Sequence, residues 1–295
     1  MIYKSILINF LLLGLIFSQG KKIFISADLE GVVGVVTGEQ LSPGGFEYNR
    51  FRGFMTSEVN AAISAARRGG ATEILVADSH GNGQNLIIEE LPKDIKVIRS
   101  WPRPLGMMQG IDKSFDGVIF TGYHSSTDNK EGVRAHTFSS ARLTSVKVNG
   151  KSMSEGSWNA AIAGEYGVPV IVVTGDDSAV EEVASLIGNP ERVVVKESIS
   201  FHSAKTLHPE AAYDLISEKT EFAVNNIKKY KSYRIKGPLT VSVSFKNYQP
   251  SQILAYLPIF IRTDSHTIEF KAKNMIEASR IMRVVTSYNG GKTAP

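Results

Sequence analysis

Asp28 and Glu30 are two carboxylates separated only by Leu29, and they close the apolar run Ile23 to Ala27. Carboxylate oxygens bind hard and borderline divalent cations, so such a pair is a natural start for a metal site, although alone it reads more readily as a solvated acidic turn. The pattern recurs. Glu73 to Ala77 runs into Asp78-Ser79-His80, Gly117 to Gly122 into Tyr123-His124, and Val168 to Val173 into Gly175-Asp176-Asp177. Of the six histidines in the chain, His80 and His124 stand in these turns, and His136 follows in a polar loop. Any one of them is as well explained by an ordinary surface or core imidazole. Jointly, carboxylates and imidazoles in a chain without cysteine favour an open catalytic site for zinc, or manganese, over a closed structural zinc site. Their number suffices for two ions held by a bridging carboxylate.

Groups so far apart in sequence meet only if the apolar runs are neighbouring parallel strands, because ligands of open α/β sheets gather beyond the strands' carboxyl ends. The intervening segments fit that arrangement. Phe51, Phe54, Met55, Val59, Ala62, Ile63 and Ala66 recur at helical spacing between about Phe46 and Arg68, and Gly69-Gly70 end the helix. Helix, strand and reactive turn then form a βαβ unit. Residues 145–148 with Asn149-Gly150 predict a hairpin. Glu155 opens a helix running to Tyr166, and Ser178 to Ile187 predicts an amphipathic helix with Ser178 as its N-cap. From about Ile199 the character changes: one long helix from His208-Pro209 to Lys229, alternating strands at Leu239 to Phe245 and Thr267 to Lys271, and a closing helix. The fold class is α/β, a mostly parallel sheet with flanking helices (21–198), plus a smaller C-terminal α+β layer (199–295) docked on it.

The 295 residues, 42% hydrophobic, can bury a substantial core. The formal charge is +4, but Lys and Arg are dispersed, which argues against nucleic acid as a partner. Residues 1–20 differ from the rest. Lys4, the apolar run Ile6 to Phe17 and the small, polar exit Ser18-Gln19-Gly20 have the layout of a secretory signal peptide. This predicts export to the periplasm or beyond, with no stable membrane span after processing; an uncleaved N-terminal anchor is the alternative. The absence of cysteine excludes disulfides and lipoprotein attachment.

The strings S-A-D-L-E-G at 26–31, L-V-A-D-S-H at 75–80, T-G-Y-H at 121–124, the loop from Gly132 to His136 and S-E-G-S-W-N-A at 154–160 resemble the D-aminopeptidases of the DppA type, and T-G-D-D at 174–177 and K-T-L-H-P at 205–209 keep the same order. The resemblance extends from Ile23 nearly to the C-terminus. It implies a zinc peptidase with two adjacent metals and a ring-shaped homo-oligomer enclosing a chamber. Position by position it puts the metal ligands on Asp28, Glu30, His80, His124 and Glu155, with Asp28 as the bridge, and the catalytic histidine on His136. The residues alone would not have selected Glu155, which equally suits a stabilising acid in a first helical turn. Two departures stand out: the loop from His124 to His136 is slightly longer than the family pattern, and the familiar members resemble cytoplasmic proteins without an apolar leader.

The leading expectation is an exported metallo-aminopeptidase that removes an N-terminal residue from short peptides, and the resemblance points to a D-residue there. A metal-dependent phosphoesterase would use the same residue types, but no glycine-rich phosphate loop or arginine cluster accompanies the site residues. A periplasmic solute-binding protein would have two comparable α/β halves, whereas the site residues here crowd into the first half.

Overall fold

In a computed structural model, residues 20–287 are described; the expected signal segment lies almost wholly outside them. The first strand, β1 (Lys21–Ala27), pairs in parallel with β2 (Ala71–Asp78) on one side and β4 (Gly117–Tyr123) on the other. β3 (Lys96–Ile98) extends the sheet beyond β2, and β7 (Val170–Asp176), β8 (Glu191–Ser200) and β9 (Ser203–Thr206) extend it beyond β4. Only β9 runs antiparallel to its neighbour in this seven-stranded sheet. The chain leaves β1 toward β2 and β3, then returns to place β4 on the opposite edge of β1. The carboxyl ends of β1 and β4 thus flank the topological switch point, where open α/β sheets form their ligand crevice.

Both central strands are wholly buried beyond their first residues, as expected for apolar runs covered on both faces. α1 (Tyr48–Arg68) covers one face together with α4 (Pro209–Asn225), and α2 (Glu155–Glu165) packs on the other. α1 ends as its sequence predicts, with Gly70 at φ +95° and its N–H donated to the Arg67 carbonyl.

A five-stranded antiparallel sheet in the order β11-β12-β10-β5-β6 forms the second layer. It contains β5 (Leu143–Val148), β6 (Lys151–Ser152), β10 (Leu239–Phe245), β11 (Phe260–Arg262) and β12 (Thr267–Ala272), with α5 (Tyr248–Leu254) and α6 (Met275–Ser287) packed against it. The α/β class and the smaller second layer therefore match expectation. The division at 198/199 falls inside β8, however; α4 lies on the first sheet, and the β5–β6 hairpin crosses into the second. Hydrogen bonding explains the crossing: β5 pairs with β10 from Leu143 to Val148, which no local pattern could announce.

Two smaller expectations are corrected. α3 (Asp177–Ile187) is capped by Asp176, whose side chain accepts from the Ala179 N–H, and not by Ser178, which lies within the first turn. The long helix expected to reach Lys229 stops at Asn225, where Asn226 turns its side-chain amide back to the Phe222 carbonyl and a short 3-10 turn follows.

Candidate active site

The end of β1 meets the end of β4 closely enough that side chains must be absent at two positions. Gly31 donates its N–H to the Gly122 carbonyl at 2.7 Å, and a Cβ on Gly31 would lie 2.0 Å from the Tyr123 oxygen. Gly122 has φ +69°, and a Cβ there would meet the Asp28 carbonyl at 2.2 Å. This contact turns Asp28 and Glu30 inward beside His124.

His80 arrives from β2 on a loop built by Asp78. That carboxylate accepts from the Asn85 and Leu86 N–H groups at 2.6 and 2.8 Å and from the Asn85 amide at 2.8 Å, while the same amide also donates to the His80 carbonyl. Glu155 arrives from the other sheet. The β5–β6 hairpin leads into α2, Ser154 caps that helix, and Glu155 is its first residue. Tyr123 locks the helix to the sheet by donating to Ser26 Oγ and accepting from the Asn159 amide. His136 comes on the loop after β4, its N–H donated to the Ser125 carbonyl.

The six residues expected at the site thus converge; five are buried and His136 is partly so. Asp28 stands between two imidazoles: Oδ1 is 3.3 Å from His80 Nδ1, and Oδ2 is 3.4 Å from His124 Nε2. Glu30 Oε2 lies 2.8 Å from His80 Nδ1, and Glu155 Oε1 lies 3.6 Å from His124 Nε2. His124 and His136 stack with centroids 3.9 Å apart, and His136 Nε2 is 3.9 Å from Glu30 and 3.8 Å from Glu155. The ligand atoms form two groups, Asp28-Glu30-His80 and His124-His136-Glu155, each within 4.8 Å.

The hydrogen bonds at the rim decide what these groups can hold. Each histidine faces a carbonyl with one ring nitrogen: His80 Nε2 the Leu41 oxygen, His124 Nδ1 the Ser125 oxygen and His136 Nδ1 the Arg134 oxygen, at 2.8 to 3.0 Å. A carbonyl only accepts, so those nitrogens carry the proton, and in neutral rings the opposite nitrogens aim lone pairs at the carboxylates. His124 Nε2 and Asp28 Oδ2 are buried, face each other and have no hydrogen-bond partner. Buried acceptors pointing at one another are unfavourable unless cations lie among them, which is the donor set a divalent metal needs.

Protons show the same demand. Burial opposes charge on His80 and His124, yet the adjoining carboxylates outweigh it and hold both imidazoles well above the ordinary range. Burial and then Glu30 push the Asp28 carboxyl up. For His136, burial and the neighbouring His124 prevail and lower its affinity for a second proton.

Other strand-end acids do not join the cluster. Asp78 is consumed by its loop, Asp176 by the α3 cap, and Asp177 accepts the Ser198 N–H at 2.8 Å. Conversely, the residues that fix the loop bearing Glu30 escaped the sequence reading. Lys196 of β8, wholly buried, donates to the carbonyls of Glu30, Val32 and Val35 at 2.6, 3.0 and 2.7 Å. Glu58 of α1 accepts the Val33 N–H at 2.9 Å. The available signal was a lone lysine ending the apolar stretch Val193-Val194-Val195.

A buried carboxylate–imidazole basin at the switch point of a parallel sheet defines a metallohydrolase type of α/β protein. The peptidase M55 profile, D-aminopeptidase, matches residues 21–284. A D-aminopeptidase of Bacillus subtilis (strain 168) is 36% identical over 266 residues, covering 90% of this chain and 96% of its own. The solved structure of the Zn-dependent D-aminopeptidase DppA from Bacillus subtilis, a self-compartmentalizing protease, superposes with a TM-score of 0.86 at 35% identity, over 90% of this chain and 96% of that one. The chain belongs to the D-aminopeptidase family, and it is a hydrolase.

Proposed function

We propose that this chain is an exported, dinuclear zinc aminopeptidase that releases the N-terminal D-residue of short peptides. The observation that carries the metal reading is the pair of buried, unpartnered atoms Asp28 Oδ2 and His124 Nε2 facing each other at 3.4 Å. Zinc is favoured over manganese by the mixed nitrogen and oxygen donors and by the zinc dependence of DppA. Asp28, with an oxygen toward each histidine, would bridge two ions, Glu30 and His80 completing one side and His124 and Glu155 the other. When bound, the metals would supply Lewis-acid polarisation of the scissile carbonyl and lower the pKa of a water molecule.

The protein's own part is then positional and acid–base. His136 keeps its Nδ1 proton on the Arg134 carbonyl and directs the Nε2 lone pair into the basin, so it can accept a proton as the peptide bond is attacked and return it to the leaving amine. Its stacking on His124 and its orientation by Arg134 hold that geometry.

Export is supported by the apolar leader Ile6 to Phe17 and its small, polar exit. Among the described residues no helix is long and apolar enough to cross a membrane. Self-association into a ring is favoured by the self-compartmentalizing character of DppA.

The test is metal analysis of the purified protein together with hydrolysis of paired D- and L-aminoacyl amides and p-nitrophenyl phosphate. Two zinc equivalents per chain and cleavage confined to the D-amides are expected. Phosphate release without amide cleavage would overturn the peptidase reading in favour of a phosphoesterase.

A further inference from the structure

Beside the metal basin lies a cavity of about 260 Å³, whose walls include Glu30, His80, Asn82, Asn85, Ser140 and Arg134. Pockets for drug-sized ligands run from about 300 to 1,000 Å³, so this one suits a small molecule and not a folded chain end. Arg134 is its permanently cationic wall. Among the described residues no carboxylate lies within ion-pair distance of Arg134, and its Nε is buried without a hydrogen-bond partner.

The main chain at Arg134 is fixed, its backbone N–H donated to the Phe201 carbonyl at 3.0 Å and its backbone carbonyl accepting from His136 Nδ1, and the guanidinium lies over the Phe201 ring, 5.3 Å from the centroid. A ring contact uses the face of the guanidinium and leaves the N–H edge available. The planar fork of a guanidinium matches a carboxylate or a phosphate through two parallel hydrogen bonds.

Resting on the D-aminopeptidase reading of the adjoining basin, we propose that Arg134 is a specificity-determining residue that receives the free C-terminal carboxylate of a short peptide. An unblocked dipeptide carries two charges. With the scissile carbonyl at the metal basin, the carboxylate, separated from the scissile nitrogen by one Cα, is the charge that falls to the adjoining cavity. The chain thereby selects di- and tripeptides with free C-termini over amides and over longer chains, whose carboxylate lies beyond the pocket.

The test measures binding and turnover separately. Zinc-loaded wild type, Arg134→Met and Arg134→Lys are titrated by calorimetry with reduced-bond, uncleavable analogues of D-alanyl-D-alanine, of its C-terminal amide, and of D-alanyl-D-glutamic acid with an amidated C-terminus. Wild type should bind the free acid about 10- to 100-fold more tightly than the plain amide, the range for charge-assisted hydrogen bonds. Arg134→Met should reduce that ratio to near one, and Arg134→Lys should restore part of it. In turnover of D-alanyl-D-alanine itself, Arg134→Met should raise KM far more than it lowers kcat.

Equal affinity of wild type for acid and amide would overturn the inference. So would equal weakening of both by Arg134→Met, which would limit the side chain to packing on Phe201, or a preference for the side-chain carboxylate over the C-terminal one. The two readings separate cleanly. Carboxylate preference without hydrolysis would leave this inference standing and remove the peptidase reading, whereas hydrolysis without carboxylate preference would do the reverse.

Discussion

The two halves of the basin are made in different ways. Asp28, Glu30 and His80 come from the adjacent parallel strands β1 and β2, so a single sheet places them and 53 residues of chain contain them. His124, His136 and Glu155 come from β4, a loop and the start of α2, and the last of these is delivered by a hairpin that belongs to the other sheet. One half needs only secondary structure in register; the other needs two layers to meet. Asp28 joins them, because its two oxygens face a histidine from each half. The basin is therefore a junction between sheets, and its second half should be the more sensitive to how those layers pack.

Removing the joint should have the largest effect. Asp28→Ala is expected to release metal from both halves and to cut activity by roughly 10³-fold or more, since no neighbouring carboxylate can take its place between the histidines. Retention of two zinc equivalents by that variant, measured by metal analysis, would break the idea of a shared bridge.

His136→Ala should come next. With Nδ1 committed to the Arg134 carbonyl, this residue is expected to move protons, so zinc content should stay near that of wild type while kcat falls roughly 10²- to 10⁴-fold. Zinc loss equal to that of His124→Ala would make His136 a ligand of the second half instead, which its membership of that group of donor atoms allows.

The support of the first half can be probed through pH. Glu58 is wholly buried, one of its oxygens has no partner, and burial pushes its carboxyl from the ordinary 4.5 up to about 7. The folded state thus keeps a proton that the unfolded state has lost between those values, so this group's contribution to stability falls as pH rises from about 4.5 to 7 and stays low above. Glu58→Gln retains an acceptor for the Val33 N–H. It should be more stable than wild type by on the order of 2–3 kcal/mol at pH 8, the advantage shrinking as pH falls toward 5. A pH-independent difference in urea midpoints would remove Glu58 ionisation as its cause.

The smallest effect should fall on a strand-end acid outside the basin. Asp176→Ala removes the cap of α3 and is expected to cost about 1 kcal/mol with no loss of zinc. Zinc loss there would show that the basin reaches farther along the strand ends than the six converging residues.

Asp28, Glu30, His80 and His124 were legible because each follows an apolar run, and in a parallel sheet the strand ends mark one edge in space. The same logic also nominated Asp78, Asp176 and Asp177, which serve turns and a helix cap, because a strand end fixes where a residue lies and not which way its carboxylate turns. Glu155, and the catalytic role of His136, were reached only through the family resemblance, since nothing local separates a ligand in a first helical turn from a stabilising acid or a proton-transfer histidine from a ligand.

By itself, then, the sequence determined the elements of the α/β core and four residues at its edge, for periodicity and turn chemistry are properties of neighbouring residues. The tertiary structure decided the rest. It carried the β5–β6 hairpin into the second sheet, brought Lys196 beneath the Glu30 loop and left Arg134 Nε without a hydrogen-bond partner among the described residues. Each of these depends on partners that are distant in sequence and become neighbours only when the layers close, and no local pattern records that.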